Sequence, residues 1–173
     1  MSGVAVFETF YRRLPPTRKY ILAAGLADVL EFLETFRLER DELEYLRALG
    51  LFSEDFLSRL ADLRFSGDVW AVPEGTLVFP GEPIVQVAAP IIEAQLVETF
   101  VINQIHFQSV VASKAARIVE AAAGRPVVDF GARRAHGTDA ALKLARCSYL
   151  AGAIGTSNLL AAQRYRIPAF GTM

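Results

Sequence analysis

The residues able to do chemistry concentrate near one stretch. Pro126-Val127-Val128-Asp129-Phe130 runs into Gly131-Ala132-Arg133-Arg134-Ala135-His136-Gly137, and Thr138-Asp139 follow. A short apolar run with β-branched residues that stops at glycine has the form of a buried strand emptying into a loop. Pro126 can open such a strand but cannot occupy its interior. Thr138 and Asp139 are residue types that accept backbone N–H bonds where a helix begins. The loop between carries two guanidinium groups, whose planar fork of donors matches carboxylate and phosphate oxygens. In α/β folds ligands bind at the carboxyl ends of strands, where such loops lie. Arg133, Arg134 and His136 are therefore candidate anion-binding residues. The competing reading is that the arginines pair with surface carboxylates, although adjacent arginines bounded by glycines are an awkward frame for that.

Two further β-runs end in a similar way. Ala153-Ile154 reads as a very short strand before Gly155-Thr156-Ser157-Asn158, and a helix over 159–165 comes next. The unpaired N–H groups of a helix start make a ready anion site, so Ser157 and Asn158 either line such a site or simply cap the helix. Ile167 to Phe170 is another strand, followed by Gly171-Thr172-Met173. Other chemistries lack their residues. Gly131 and Gly137 have the glycine spacing of a P-loop, but Thr138 stands where its lysine must be. There is no dinucleotide-binding glycine pattern, no nucleophile elbow and no zinc-ligand cluster. His106 and His136 have no metal-ligand spacing, so no metal site made by the protein is expected. Cys147 lies inside a predicted helix without a visible base and reads as a packed residue.

Positioning these loops needs a sizeable scaffold, and 173 residues with 53% apolar content supply one substantial domain. A net charge of −1 gives no global attraction to nucleic acid or membrane. A single cysteine precludes an internal disulfide and fits a reducing compartment. Residues 1–11 carry Glu8 and lack a basic start and a long apolar run. The least charged stretch, 99–113, is too short to span a bilayer. A soluble cytoplasmic protein is expected.

Along the chain, Val4 to Tyr11 alternates as a strand, Tyr20 to Ala24 is a short apolar run, and Leu26, Val29, Leu30 and Leu33 follow at helical spacing. A second helix covers 39–49, with Leu43 and Leu46 inward and Gly50 just past its end. A third, capped by Ser53, runs to Leu63 and buries Phe56, Leu57 and Leu60. Three β-runs, 68–72, 76–79 and 84–88, are separated by Pro73-Glu74-Gly75 and Pro80-Gly81-Glu82, and predict a compact antiparallel piece with Trp70 in its core. From Ile91 to Ala123 the period is helical, with a possible break over 106–109 and one polar face made by Gln95, Thr99, Asn103, His106, Ser113, Arg117 and Glu120. From Val127 onward the order strand, helix, strand, helix, strand predicts the beginning of a (β/α) barrel or a doubly wound sheet.

Several ordered motifs carry a family resemblance. Phe130-Gly131-Ala132-Arg133-Arg134-Ala135-His136-Gly137, Gly155-Thr156-Ser157-Asn158-Leu159-Leu160-Ala161 and Ile167-Pro168-Ala169-Phe170-Gly171-Thr172-Met173 resemble nicotinate phosphoribosyltransferase. So do Ala71-Val72-Pro73-Glu74-Gly75-Thr76, Phe79-Pro80-Gly81-Glu82-Pro83 and Ile92-Glu93-Ala94-Gln95-Leu96-Val97-Glu98-Thr99. The resemblance implies an N-terminal α/β domain with a small antiparallel β portion (1–125), then the first strands and helices of an irregular (β/α) barrel (126–173). It implies joining of nicotinate to phosphoribosyl pyrophosphate in NAD biosynthesis, with Mg2+, ATP as co-substrate and a homodimer. Arg134 and Arg133 would hold substrate anions, Thr172 would contact nicotinate, and His136, Ser157 and Asn158 would line the site. A family tyrosine segment, a histidine motif and later barrel strands have no counterpart in these residues, so an incomplete copy with little activity alone is expected. Relatives acting on quinolinate or nicotinamide, and an inactive fragment that binds a partner subunit, are the alternatives.

Overall fold

The computed structural model describes residues 3–171. Strand alternation works as expected at the start of the chain. Strand β1 (Val4–Thr9) turns Ala5, Phe7 and Thr9 inward and Val4, Val6 and Glu8 outward. Two short strands follow it in the sequence scaffold, β2 (Ile21–Leu22) and, after three helices, β3 (Asp68–Ala71); β4 (Leu77–Val78) and β5 (Val85–Pro90) complete the antiparallel portion. β5 is the centre of one sheet in the order β1-β5-β3, while β4 pairs with β2 in a second. The three runs between residues 68 and 90 are therefore not one meander. The backbone explains this: Ala23 N–H donates to Thr76 O (2.9 Å) and Gly75 N–H to Ala23 O (2.8 Å), drawing β4 away to the β2 segment.

The register also corrects Trp70, which is 55% exposed and not in a core. It lies beside Gln86, and Gln86 beside Glu8, on the outer sheet face. Val69, one residue earlier, takes the inward position.

Helix α1 (Leu26–Thr35) buries Val29 and Leu33. Helix α2 (Arg40–Ala48) starts with a capping box between Glu39 and Glu42 but buries nothing fully, leaving Leu43 and Leu46 half-buried. Ser53 caps helix α3 (Glu54–Ala61) by accepting from Phe56 N–H at 3.3 Å. Leu57 and Leu60 are buried as expected, whereas Phe56 is 40% exposed and stacks on Phe52. An eight-residue helix has room for one narrow buried stripe, and Phe56 falls on its flank.

Helix α4 (Ile91–Ala121) is a single unbroken element of 31 residues, about 46 Å long at 1.5 Å per residue. The expected break over 106–109 is absent. Gln95, Thr99, Asn103, His106, Arg117 and Glu120 are exposed, but Ser113 belongs to the opposite, buried side with Gln108 and Ser109. The serines bond an edge strand. Ser109 Oγ accepts from Ala24 N–H (3.0 Å) and donates to Ala24 O (3.1 Å). Ser113 Oγ accepts from Leu22 N–H (2.8 Å) and donates to Ser109 O (2.6 Å). Buried hydroxyls thus satisfy backbone groups that β2 and the residues just after it leave unpaired. Above them lies the main core, with Val85, Val87 and Ala89 of β5 against Val97, Val101 and Ile105 of α4.

The remaining elements alternate. β6 (Val128–Asp129), helix α5 (Thr138–Leu150), β7 (Gly155–Thr156) and helix α6 (Leu159–Tyr165) come in that order. β6 and β7 are parallel, and a parallel bridge joins Thr156 to Ala169. This is the mixed α/β architecture expected, with parallel strands succeeding an antiparallel portion. Two details differ. The ladder falls on Gly155–Thr156 and not on Ala153-Ile154, because Ile154 N–H reaches back to Val127 O (2.8 Å) and sets the register two residues later. The 167–170 strand reduces to the single bridge at Ala169. Among the described residues no helix is long and apolar enough to cross a membrane.

Candidate functional site

Three strand ends converge, and a buried carboxylate joins them. Asp129, the last residue of β6, is 9% exposed, and Thr156 at the same level of β7 is 0% exposed. Asp129 Oδ2 accepts from Thr156 Oγ1 at 2.7 Å, and Oδ1 accepts from Gly131 N–H at 2.8 Å. Its backbone oxygen accepts from Ser157 N–H at 2.8 Å. Thr156 Oγ1 also accepts from Asn158 N–H (3.1 Å), while the Thr156 backbone bonds Pro168 O (3.0 Å) and Phe170 N–H (2.9 Å). The loops after β6 and β7 and the 167–170 segment are therefore fixed to one hydrogen-bonded knot. Sequence reasoning missed Asp129 and Thr156. The available signal was an aspartate inside an apolar strand, since a buried carboxylate is stable only when its oxygens are bonded.

On this base stands the cationic loop. After Gly131 the chain makes a 3-10 turn, Ala132–Arg134, closed by Arg134 N–H to Gly131 O (2.8 Å). Arg133, Arg134 and His136 are exposed. None of the three makes a side-chain hydrogen bond or ion pair to the described residues, whose ion pairs all involve other groups. The surface ion-pair reading is thereby excluded within the described residues. Helix α5 then starts at Thr138 with no side-chain cap, and Asp139 bonds Lys143 Nζ at 2.6 Å instead of capping.

In the second loop one of the two candidates caps the helix. Asn158 Oδ1 accepts from Ala161 N–H at 3.1 Å and caps α6. Ser157 is half-buried and its hydroxyl has no partner among the described residues. Thr172 lies outside the described residues. His106 is away from this knot, on exposed α4 surface beside the Tyr11 ring (centroids 5.8 Å apart). A groove of about 520 Å3 runs behind β6 between Val111, Ala115 and Ile118 of α4 and Val127 and Val128. Its walls are mostly aliphatic and it meets the knot only at Asp129–Gly131, so it is not the anion-binding face.

A second polar junction lies where the two halves of the chain meet. Glu74, in the turn before β4, forms an ion pair with Arg146 of α5, and its Oε1 also accepts from Gly25 N–H at 2.7 Å. Burial pushes the Glu74 carboxyl up, but Arg146 and the backbone N–H groups of Gly25 and Ala27 outweigh it, and the net shift is below the ordinary 4.5. A depressed folded-state value means that this carboxylate stabilises the fold above about pH 4.5 and that the contribution is lost as pH falls further. Unfolding midpoints measured from pH 6 down to pH 3 should therefore fall less steeply in Glu74→Gln than in the parent. Parallel acid limbs would show that the pair contributes nothing.

Cys147, next to Arg146, is fully buried, and burial pushes its thiol up to about 12. It packs in the cluster with Leu22, Ala24 and Ala112, as a structural cysteine should. The native chain is expected to show no rapid reaction with an aromatic disulfide reagent at pH 8, and to release one thiol after unfolding. Rapid native labelling would contradict this packing.

The fold defines a class, a mixed α/β chain in which an antiparallel portion is followed by parallel β/α units. The crystal structure of human nicotinic acid phosphoribosyltransferase superposes with a TM-score of 0.89 at 37% identity, covering 99% of this chain and 35% of that one. A family model described as the nicotinate phosphoribosyltransferase N-terminal domain matches residues 1–106. The chain belongs to the nicotinate phosphoribosyltransferase family. It is 74% identical over 173 residues to a nicotinate phosphoribosyltransferase of Mycobacterium tuberculosis, covering 100% of this chain and 37% of that protein. It is 43% identical over 168 residues to the Bacillus subtilis enzyme of the same name, covering 97% of this chain and 34% of that protein. The chain thus spans little more than a third of the length of these relatives.

Proposed function

We propose that this chain contributes the anion-holding loops of a site that joins nicotinate to phosphoribosyl pyrophosphate. The pyridine nitrogen of nicotinate bonds to the anomeric carbon of the ribose as the bond from that carbon to pyrophosphate breaks. Nicotinate mononucleotide and pyrophosphate result. The observation that carries this reading is the pair Arg133 and Arg134, exposed and without partners among the described residues, on a loop anchored by the buried Asp129–Thr156 contact. A preset cation costs little reorganisation when negative charge develops on a leaving group. Arg134 and Arg133 hold substrate anions, His136 and Ser157 line the site, and Thr172 contacts nicotinate. Asn158 lines the same site while its Oδ1 caps α6.

Mg2+ and ATP belong to the same reading. Among the described residues no three carboxylate, histidine or cysteine groups converge on a possible metal position. The protein groups described do not form a Mg2+ cage; Mg2+ commonly enters such sites on substrate phosphates. The reading includes a homodimer, a cytoplasmic location and a division at residues 1–125 and 126–173.

The test is formation of nicotinate mononucleotide from nicotinate and phosphoribosyl pyrophosphate, with and without ATP. The chain would be assayed alone and co-expressed with the parts of the Mycobacterium tuberculosis relative that it does not span. Turnover by the pair and little by the chain alone is expected. Product from quinolinate or nicotinamide in place of nicotinate would change the acceptor, and no product from any of them would defeat the reading.

A further inference from the structure

We infer that Arg146 is a positioning residue that holds both site loops in place from a distance, by clamping the two helices that follow them onto Glu74. Arg146 lies on α5, the helix that follows the cationic loop. Its guanidinium makes two contacts with the Glu74 carboxylate, Nη1 to Oε1 at 3.1 Å and Nη2 to Oε2. Its Cζ also lies 6.0 Å from the centre of the Tyr165 ring, on α6, the helix that follows the Ser157 loop. One side chain therefore touches the helices behind both loops.

The other end of the clamp is rigid. Glu74 Oε1 accepts from Gly25 N–H at 2.7 Å, at the start of α1, where Gly25 offers no side chain of its own as a cap. A carboxylate there is favoured by the helix dipole. Glu74 thus fills the cap of one helix and pairs with the cation of another, and each role limits the freedom of the other. Asp28 of α1 strengthens the same junction, with Oδ2 accepting from Gln108 Nε2 at 2.6 Å and lying 3.9 Å from Lys143 Nζ on α5.

The route from Arg146 to the loop is steric. Leu144, two residues earlier on α5, packs so closely on Gly131 that a Cβ there would come within 2.7 Å of Leu144 Cδ2. Gly131 in turn donates to Asp129 and begins the Arg133–Arg134 turn. A shift or rotation of α5 moves Leu144 and so changes the surface on which Gly131 packs. Loss of the clamp is therefore felt at the loop even though Arg146 touches no part of it.

The importance of these loops for substrate rests on the phosphoribosyl-transfer reading; the clamp itself does not. Hydrogen–deuterium exchange on the full 173-residue chain tests the clamp directly. In Arg146→Ala and Glu74→Gln, exchange should rise about tenfold at 131–137 and 156–159, the scale of losing a charged hydrogen bond, with α4 and β5 unchanged. Arg146→Lys should fall between, because a point charge keeps one contact and loses the fork and the flat face toward Tyr165. The double variant should match the worse single one, as expected for two members of one contact. Unchanged loop exchange in both single variants overturns the proposal. So does a uniform rise across the whole chain in Glu74→Gln, the milder variant, since that marks a general stability contact. In parallel, pyrophosphate binding to the parental co-expressed pair and to its Arg146→Ala variant would be measured by calorimetry, with weakening by about tenfold expected. A parental pair that binds no pyrophosphate counts against the phosphoribosyl-transfer reading, and loop exchange still decides the clamp.

Discussion

Replacing Arg134 by alanine in the co-expressed pair is expected to lower kcat/KM for nicotinate mononucleotide formation by roughly a hundred- to a thousandfold. That corresponds to about 2.7–4 kcal/mol of transition-state binding, the scale observed when one preset donor to a developing anion is removed. Arg134 is exposed and bonded to nothing among the described residues through its side chain, so its removal opens no cavity and strands no buried partner. The unfolding midpoint should accordingly stay within the range of ordinary surface substitutions, about 0.5 kcal/mol. Arg134→Lys should recover little of the loss, because a single ammonium cannot present two parallel donors to phosphate or carboxylate. Steady-state kinetics together with urea unfolding of both variants checks this. Parental kinetics in Arg134→Ala would remove the substrate role from the loop, and a large stability loss would mean that the arginine has a structural partner.

Gly25→Ala is expected to be strongly destabilising, at roughly 2–5 kcal/mol when a left-handed penalty and an overpacking penalty are combined. Gly25 has φ +101, which a residue with a Cβ adopts only under strain. The added methyl would also meet backbone: Gln104 O at 2.6 Å, Gln104 C at 2.9 Å and Ile105 Cα at 3.2 Å. Those atoms belong to the middle of α4, which cannot yield as a flexible side chain can. Relief requires α1 to lift from α4, and that loosens the N–H bond from Gly25 to Glu74. Gly50→Ala is the control. Its φ of +67 is also left-handed, but a Cβ there would meet nothing within 4 Å, so only about 1 kcal/mol should be lost. Urea unfolding of the two variants separates conformation from crowding. Equal losses would show that the approach of α1 to α4 costs nothing.

What the sequence determined by itself was local. Ser53 as a cap, Gly50 beyond α2, the limits of α6 at Leu159 and Tyr165 and the alternation of β1 all follow from dihedral preferences and bonds spanning a few residues. The cationic loop was legible for the same reason: a β-branched run, a glycine and adjacent arginines are neighbours in sequence, and their exposure follows from charge. Family membership was legible because the motifs are contiguous. The tertiary structure decided what those loops stand on. Asp129 and Thr156 are 27 residues apart, Glu74 and Arg146 are 72 apart, and Ala24 and Ser109 are 85 apart. Nothing within either partner's neighbourhood names the other. Trp70 and Ser113 illustrate the same limit, since a strand or helix period divides residues between faces without saying which face another element will cover. A buried polar group must find a partner to be tolerated, but which partner it finds depends on how distant segments pack.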